Sequence, residues 1–356
     1  MARRIRRPLG PLDLRSQAIL RAVIEEYVTS AQPVGSQALV ERYGLGVSSA
    51  TVRNILAELE LAGLLTHPHT SAGRMPTDAG YRFYVETIVD AVPLSSVEQL
   101  MIRHQFGQVE FASEHWFRLA ATTLAGLTRS AGLATPAKPS SAHIRRVDLV
   151  AANERMASLI LVLREGAIKQ AVVTLDETEA IDQPMLNRVA GLLNEHLVDA
   201  TSSTAEATLA KLDVEEPIQR VARHVGERIV RILHEYDAAA VEEVFSDGLL
   251  NVMEAPEFAQ SDKLRQVFTA LENRAYLGEL VGSVTGSGRI RVVIGAENGR
   301  AEMHDVSLVL APYGRPGRAL GVVGVLGPTR MSYSNAIGTV TFVSGLMNEL
   351  VDHLYA

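Results

Sequence analysis

Residues 48–77 read SSATVRNILAELELAGLLTHPHTSAGRMPT, and their punctuation decides how the N-terminal part of the chain folds. Ser48 stands where a helix N-cap belongs, and Gly63 where glycine follows a helix C-terminus. Between them Val52, Ile55, Leu56 and Leu59 recur at the spacing of a buried helical stripe. At about 100° per residue, Ala50, Arg53, Asn54 and Ala57 point the other way. Leu64-Leu65-Thr66 has the character of a short strand. His67-Pro68-His69-Thr70-Ser71-Ala72-Gly73-Arg74-Met75-Pro76 is a polar loop punctuated by glycine and proline. A helix followed by such a strand and loop can enter one DNA groove and set the loop, as a wing, beside it.

Upstream, Asp13 or Ser16 can cap a helix running to about Ser30, with Leu20, Val23, Ile24, Tyr27 and Val28 on its apolar side. Gln32-Pro33-Val34-Gly35 ends it. Ser36 is expected to cap a shorter helix, Gln37–Tyr43, and Gly44-Leu45-Gly46 is a tight turn. Three short helices with a glycine turn before the third make a helix-turn-helix. On the third, Arg53 suits guanine edges, Asn54 suits adenine, and Ala50 and Ala57 allow close approach or meet a thymine methyl. Ser48, Ser49 and Thr51 lie at the helix N-terminus, where hydroxyls and free N–H groups bind phosphate. A solvated helix face is the competing reading; the preceding helix pair and the following loop favour DNA. On the loop the candidates are His67, His69, Thr70, Ser71, Gly73 and Arg74. His67 and His69 have an H-x-H spacing but no third ligand nearby, so backbone or phosphate contacts are expected rather than a metal. Thr77 or Asp78 then caps a helix holding GYRFYV.

At 356 residues the chain is expected to form two or three domains, and 47% hydrophobic with 21% charged residues is a globular composition. With no cysteine there is no disulfide, iron–sulfur cluster or thiolate zinc site, and a cytoplasmic location is the default. The start, MARRIRRPLGPLD, lacks the apolar run of a signal peptide, and no apolar run approaches the roughly 20 residues of a membrane span. The net charge is −7, yet residues 1–90 carry 10 Arg against 9 acids. A DNA-binding end on an acidic body fits that asymmetry, as does a solvated tail on an ordinary domain. Arg3, Arg4, Arg6 and Arg7 precede Pro8-Leu9-Gly10-Pro11, which breaks any helix. Residues 1–11 read as a basic arm, free in solution or touching phosphate or a minor groove.

Beyond Pro93, Ser95 and Glu98 form a capping box that opens a helical region through Trp116, Phe117, Leu124 and Leu127, which Gly107 can split. Thr135–Ser141 is linker-like. The period then changes to that of strands over Ile144–Ala151, Ala157–Arg164 and Ile168–Leu175, followed by a helix over Asp182–Val198. Ile218, Val221, Ala222, Val225, Ile229, Ile232, Leu233 and Tyr236 make a helical stripe; Val241–Phe245 suggests a strand and Ser261–Val281 a helix, before a Gly282–Gly288 loop. Arg289–Ile294, Met303–Leu310 and Arg318–Leu326 are three more strands, and a closing helix starts at Ser334 or Asn335. The pattern predicts a multidomain α+β chain: a winged helix-turn-helix over 12–92, an antiparallel α+β domain over 93–200 and 283–356, and a mainly helical insertion over 201–282.

ATVRNILAELELAGLL, HTSAGRMPT and GYRFYV, with FSDGLLNVMEAPEF, APYG and GVVGVLGPTRMSY later in the chain, resemble the HrcA family of heat-inducible transcription repressors. The resemblance spans about residues 12 to 355 in order, and the arm before residue 12 departs from it. It implies that the α+β domain is GAF-like and that the insertion is a dimerising domain. It also implies that a homodimer binds double-stranded DNA at an inverted-repeat operator of chaperone genes (the CIRCE element), and that the GroEL chaperonin keeps the repressor active.

Enzyme chemistry finds no foothold. Gly321, Gly324 and Gly327 lie within and after a strand near the chain end, unlike a dinucleotide fingerprint, and Gly282–Gly288 lacks the Lys and Ser/Thr of a phosphate-binding loop. No paired carboxylates, cofactor motif or metal cluster can be nominated. An alternative is a ligand-sensing regulator, for which Tyr313, Arg315, Arg318 and Arg330 are the polar candidates.

Overall fold

The computed structural model describes residues 12–68, 73–109, 113–139, 141–153, 155–164, 167–175, 182–213, 215–238, 244–258, 265–267, 269, 273–315 and 319–354. The chain is mixed α and antiparallel β, in two compact units. One comprises Met1–Pro136, Glu243–Gly314 and Gly321–Ala356, the other Ala137–Glu242 and Arg315–Leu320. In the first unit α1 (Leu14–Ser30) starts at Asp13, whose carboxylate accepts the Ser16 N–H at 2.7 Å. Next come α2 (Ser36–Tyr43) and α3 (Ser49–Leu61). Ile19, Leu20, Val23, Leu39, Val52, Leu56 and Leu59 are buried, so each helix turns an apolar stripe inward. Ser36 is the first residue of α2 rather than its cap; Gly35 takes the cap position without a side-chain bond. The two-residue strands β1 (Leu65–Thr66) and β2 (Met75–Pro76) pair antiparallel. Thr77 caps α4 (Asp78–Phe83), which widens into a π turn over Tyr84–Ile88. The expected capping box opens α5 (Ser96–Gly107), which ends at Gly107; α6 (Ser113–Thr128) follows. The sequence pattern missed the next element, β3 (Ala131–Ala134), because AGLA is too short and too uniformly buried to show a period of two.

The second unit begins with the two-residue strand β4 (Lys138–Pro139), paired with Leu320 and Ala319. Strands β5 (Ile144–Asn153), β6 (Met156–Leu163) and β7 (Ile168–Thr174) form an antiparallel sheet in sequence order. On β6 Ala157, Leu159, Leu161 and Leu163 are buried and the residues between them are half-buried, as expected for a sheet covered on one face. The cover is α7 (Gln183–Leu197), α8 (Ser202–Leu209) and α9 (Pro217–Ala238), with Leu186, Val189, Leu193, Ala222, Val225, Ile229 and Leu233 in the same core as the strands. The stripe on α9 therefore faces its own unit's core.

The chain then supplies β8 (Phe245–Asp247), α10 (Leu249–Met253), α11 (Arg274–Ser287), β9 (Arg291–Ile294), β10 (Val306–Arg315), β11 (Ala319–Pro328) and α12 (Tyr333–Leu354). In the first unit the strands run in the order β8-β3-β11-β10-β9, all antiparallel. One face carries Leu133, Leu308, Leu310, Val322 and Leu326 against Val252, Phe258, Tyr276 and Val284. The other lies under α6 and α12. Gly132 backs so closely on the Ala121 carbonyl that a Cβ would collide, and Tyr333 donates its hydroxyl to Ser307 at 2.8 Å. Covered on both faces, β10 and β11 are buried almost throughout, which explains their continuous apolar sequence.

Two expectations need correction. Residues 282–287 are helical, not a loop: α11 runs to Ser287 and stops at Gly288, whose φ of 62° is the left-handed cap that glycine favours. The strands also group differently. Ile144–Asn153, Met156–Leu163 and Ile168–Thr174 belong with α7, α8 and α9, while α10 and α11 pack on the later strands. Periodicity reports which face of an element is apolar, not which partner covers it. Residues 241–243 of the expected strand and 261–264 of the expected helix lie outside the described residues, as do the arm at 1–11 and Arg318.

Candidate nucleic-acid interface

The exposed side of α3 is built by its buried side. With Val52, Ile55, Leu56 and Leu59 turned inward, Ala50, Arg53, Asn54 and Ala57 are exposed. Ser48 caps the helix by accepting the Thr51 N–H at 3.2 Å, and its Oγ lies 3.0 Å from Thr51 Oγ1. Ser49 Oγ lies 3.0 Å from Ser36 Oγ, which brings the first residues of α2 and α3 together. Three hydroxyls and the unpaired N–H groups of a first turn thus share one end of a stripe bearing Arg53 and Asn54. Such an end attracts anions.

The connection between β1 and β2 is held at both feet. Arg74 exchanges backbone hydrogen bonds with Val34, Arg74 N to Val34 O and Val34 N to Arg74 O, both 2.8 Å. Gly73 presses on the same segment; a Cβ there would stand 2.5 Å from the Val34 carbonyl carbon, so only glycine fits. His67 Nδ1 meets Glu60 Oε1, and Arg74 forms an ion pair with Glu60 Oε2 at 2.8 Å. The candidates at the two feet therefore meet a carboxylate of α3. His69, Thr70 and Ser71 lie outside the described residues. Glu60 was not singled out by the sequence; an acid flanked downstream by His and Arg was the available signal.

A second set of contacts ties these elements to the five-stranded layer of the same unit. Asp78 accepts the Ala296 N–H at 3.0 Å. Arg82 donates through Nε to Glu297 Oε1 at 2.8 Å, again to Glu297 Oε2, and to the Val292 carbonyl at 2.7 Å. Arg330 donates to the Val28 carbonyl at 3.1 Å and pairs with Glu257. Burial pushes the Glu297 carboxyl up, but the Arg82 hydrogen bond, the Ile294 N–H and the Arg82 charge together outweigh it and hold the group below its ordinary value.

Two of the polar candidates for ligand binding are engaged within the fold, and Arg318 lies outside the described residues. Tyr313 is 1% exposed and donates its hydroxyl to the Thr135 carbonyl, beside a Gly321 that leaves room for the ring. Arg330 is engaged as described above. Among the described residues no three His, Asp or Glu side chains are grouped to hold a metal ion, and no helix is long and apolar enough to cross a membrane.

Comparison with known proteins gives concordant results. The family model described as the HrcA protein C-terminal domain matches residues 114–337. A protein of Roseiflexus castenholzii named heat-inducible transcription repressor HrcA is 41% identical over 343 residues, covering 96% of this chain and 95% of its own. One of the same name from Herpetosiphon aurantiacus is 41% identical over 346 residues, covering 97% and 96%. A crystal structure described as that of a hypothetical protein aligns over 96% of this chain and 98% of its own, with a TM-score of 0.59 at 24% identity, and shares the fold.

Proposed function

Because the chain belongs to the HrcA family of heat-inducible transcription repressors, a regulatory and non-enzymatic role, we propose that α1–α3 with β1 and β2 form a winged helix-turn-helix that reads an inverted-repeat operator as a dimer. The observation that carries the reading is the exposed stripe Ala50, Arg53, Asn54 and Ala57 on a helix whose opposite side is wholly buried. That stripe enters the major groove, Ser48, Ser49 and Thr51 meet phosphate at its leading end, and the Thr66–Met75 wing lies against the adjacent backbone or minor groove. One such unit reads too few bases for tight specificity, and two-fold symmetry supplies a second.

The dimer contact is assigned to the second unit, which serves as the family's inserted dimerising domain. Its uncovered sheet face supports the assignment: Val150 and Val172 flank Ser158 in register, they are 48% and 55% exposed, and Ile168 is 61% exposed. The five-stranded layer of the first unit is the GAF-like part. The operator stands before chaperone genes, GroEL is the partner that keeps the repressor active, and the protein acts in the cytoplasm; membership of the HrcA family supports this reading. Selection of DNA from a random pool, with and without chaperonin, tests this. An inverted repeat is the expected product, enriched when chaperonin is present; recovery of no preferred sequence overturns the reading. On the selected duplex Arg53→Ala and Asn54→Ala relax base preference by about 1–3 kcal/mol per lost contact.

A further inference from the structure

We propose that Glu60 is the positioning residue that sets the wing against the base-reading helix, and that Arg74 serves this ion pair rather than a DNA phosphate. The proposal rests on the DNA-binding reading above. A ladder of two residues per strand is too short to orient the loop it carries. Three anchors make up the difference, and they converge on the loop's two feet. His67, directly after β1, meets one oxygen of the Glu60 carboxylate, and Arg74, directly before β2, meets the other. The third anchor is the reciprocal backbone pairing of Arg74 with Val34, with Gly73 packed beneath it. Glu60 lies on α3, the helix that bears Arg53 and Asn54. A single carboxylate thus refers both ends of the wing to the base-reading element, and any shift of the helix carries the wing with it.

The charges point the same way. Glu60 and Arg74 side chains are only 24% and 23% exposed, and the guanidinium faces the carboxylate. Arg53, on the exposed stripe, forms no ion pair among the described residues. The two arginines of this segment are therefore in different situations: one is presented to solvent, the other closes a joint. A bare carboxylate beside DNA would repel phosphate, and its pairing with Arg74 neutralises that charge.

The test uses the full chain and the duplex that the wild type selects from a random pool. Failure of the wild type to select any sequence defeats the DNA reading, not the positioning role. Affinity is titrated over a range of salt concentrations for Glu60→Ala, Glu60→Gln, Arg74→Ala, the Glu60→Ala/Arg74→Ala double variant and Arg53→Ala, with hydroxyl-radical footprints and thermal midpoints for each. Glu60→Ala and Arg74→Ala are each expected to weaken binding about tenfold, and the double variant no further, as for two halves of one contact. Both should lose protection at the wing-proximal flanks while keeping the wild-type salt slope. Arg53→Ala should keep the flanks and lose base preference. Where Glu60→Ala does not fold, Glu60→Gln, which keeps the shape and removes the charge, is read in the same way. The proposal is overturned if Arg74→Ala lowers the salt slope by about 0.9, the mark of one phosphate contact, while the Glu60 variants bind and footprint as wild type.

Discussion

The Arg82–Glu297 contact is what the structure offers as the main polar tie between α4 and the five-stranded layer, and its strength can be worked out. Arg82 makes two hydrogen bonds to the carboxylate and one to the Val292 carbonyl, and the paired side chains are 27% and 38% exposed. A solvent-exposed pair contributes about 0–1 kcal/mol, whereas hydrogen bonds to charged groups contribute about 1.5–3 kcal/mol each when shielded. Half-exposed and bidentate, this pair is expected between the two. We predict a loss of about 2 kcal/mol for Arg82→Ala and a coupling of about 1 kcal/mol between Arg82→Ala and Glu297→Ala in a double-mutant cycle. The assay is native-state hydrogen exchange. Amides of α1, α3 and α4 should exchange about thirtyfold faster in Arg82→Ala, because 1.4 kcal/mol corresponds to a factor of ten and local opening reports local stability. Amides of β10 and β11 should be unchanged. Additive single effects, or equal acceleration in β10, would refute the claim that this contact holds the N-terminal elements to the layer.

The same carboxylate carries a pH dependence. Its folded value lies below the ordinary 4.5, so its stabilisation is present above about pH 4.5 and is lost as pH falls through the folded value; exchange in α1–α4 should rise in that window, and a flat profile there would count against it. Gly80→Ala places a Cβ against the Leu64 carbonyl oxygen, which α4 cannot clear without leaving β1. Its helix-propensity gain of about 1 kcal/mol should be outweighed by a clash costing about 1–3 kcal/mol or more, lowering the urea midpoint. Asn298 donates to the Gly295, Met303 and Val306 carbonyls at 2.8, 3.1 and 2.9 Å and accepts from the Tyr276 hydroxyl. Asn298→Ala should cost about 2–4 kcal/mol by leaving buried acceptors unpaired, and a thermal midpoint equal to wild type would exclude that role.

Much of the N-terminal fold was legible because its signals are local. Ser48 and Ser95 cap the helices they were expected to cap, and Asp13 and Thr77, each one of two candidates, cap theirs, since a cap needs only the next three residues. The exposed stripe on α3 follows from a 3.6-residue period and one buried face. Where two local signals competed, the reading slipped. The glycines of 282–288 suggested a loop, yet Val284 and its neighbours bury against Tyr276 and Val293, and packing outweighs the cost of glycine in a helix. Ser36, expected as a cap, instead meets Ser49 across the turn, a partner 13 residues away.

The sequence by itself determined most of the helices and strands, the face that α3 exposes, the exclusion of thiol chemistry and the family. These depend on spacing, residue type and order, all of which are linear. Only the tertiary structure decided that Ile144–Thr174 shares a core with α7–α9 while β9–β11 take α10 and α11, because apolar faces do not name their partners. It also decided that Arg53 and Arg74, equal in sequence as the two cations of residues 48–77, have different surroundings. The reason is a carboxylate 14 residues before Arg74 that the turn of the chain brings within 2.8 Å of it.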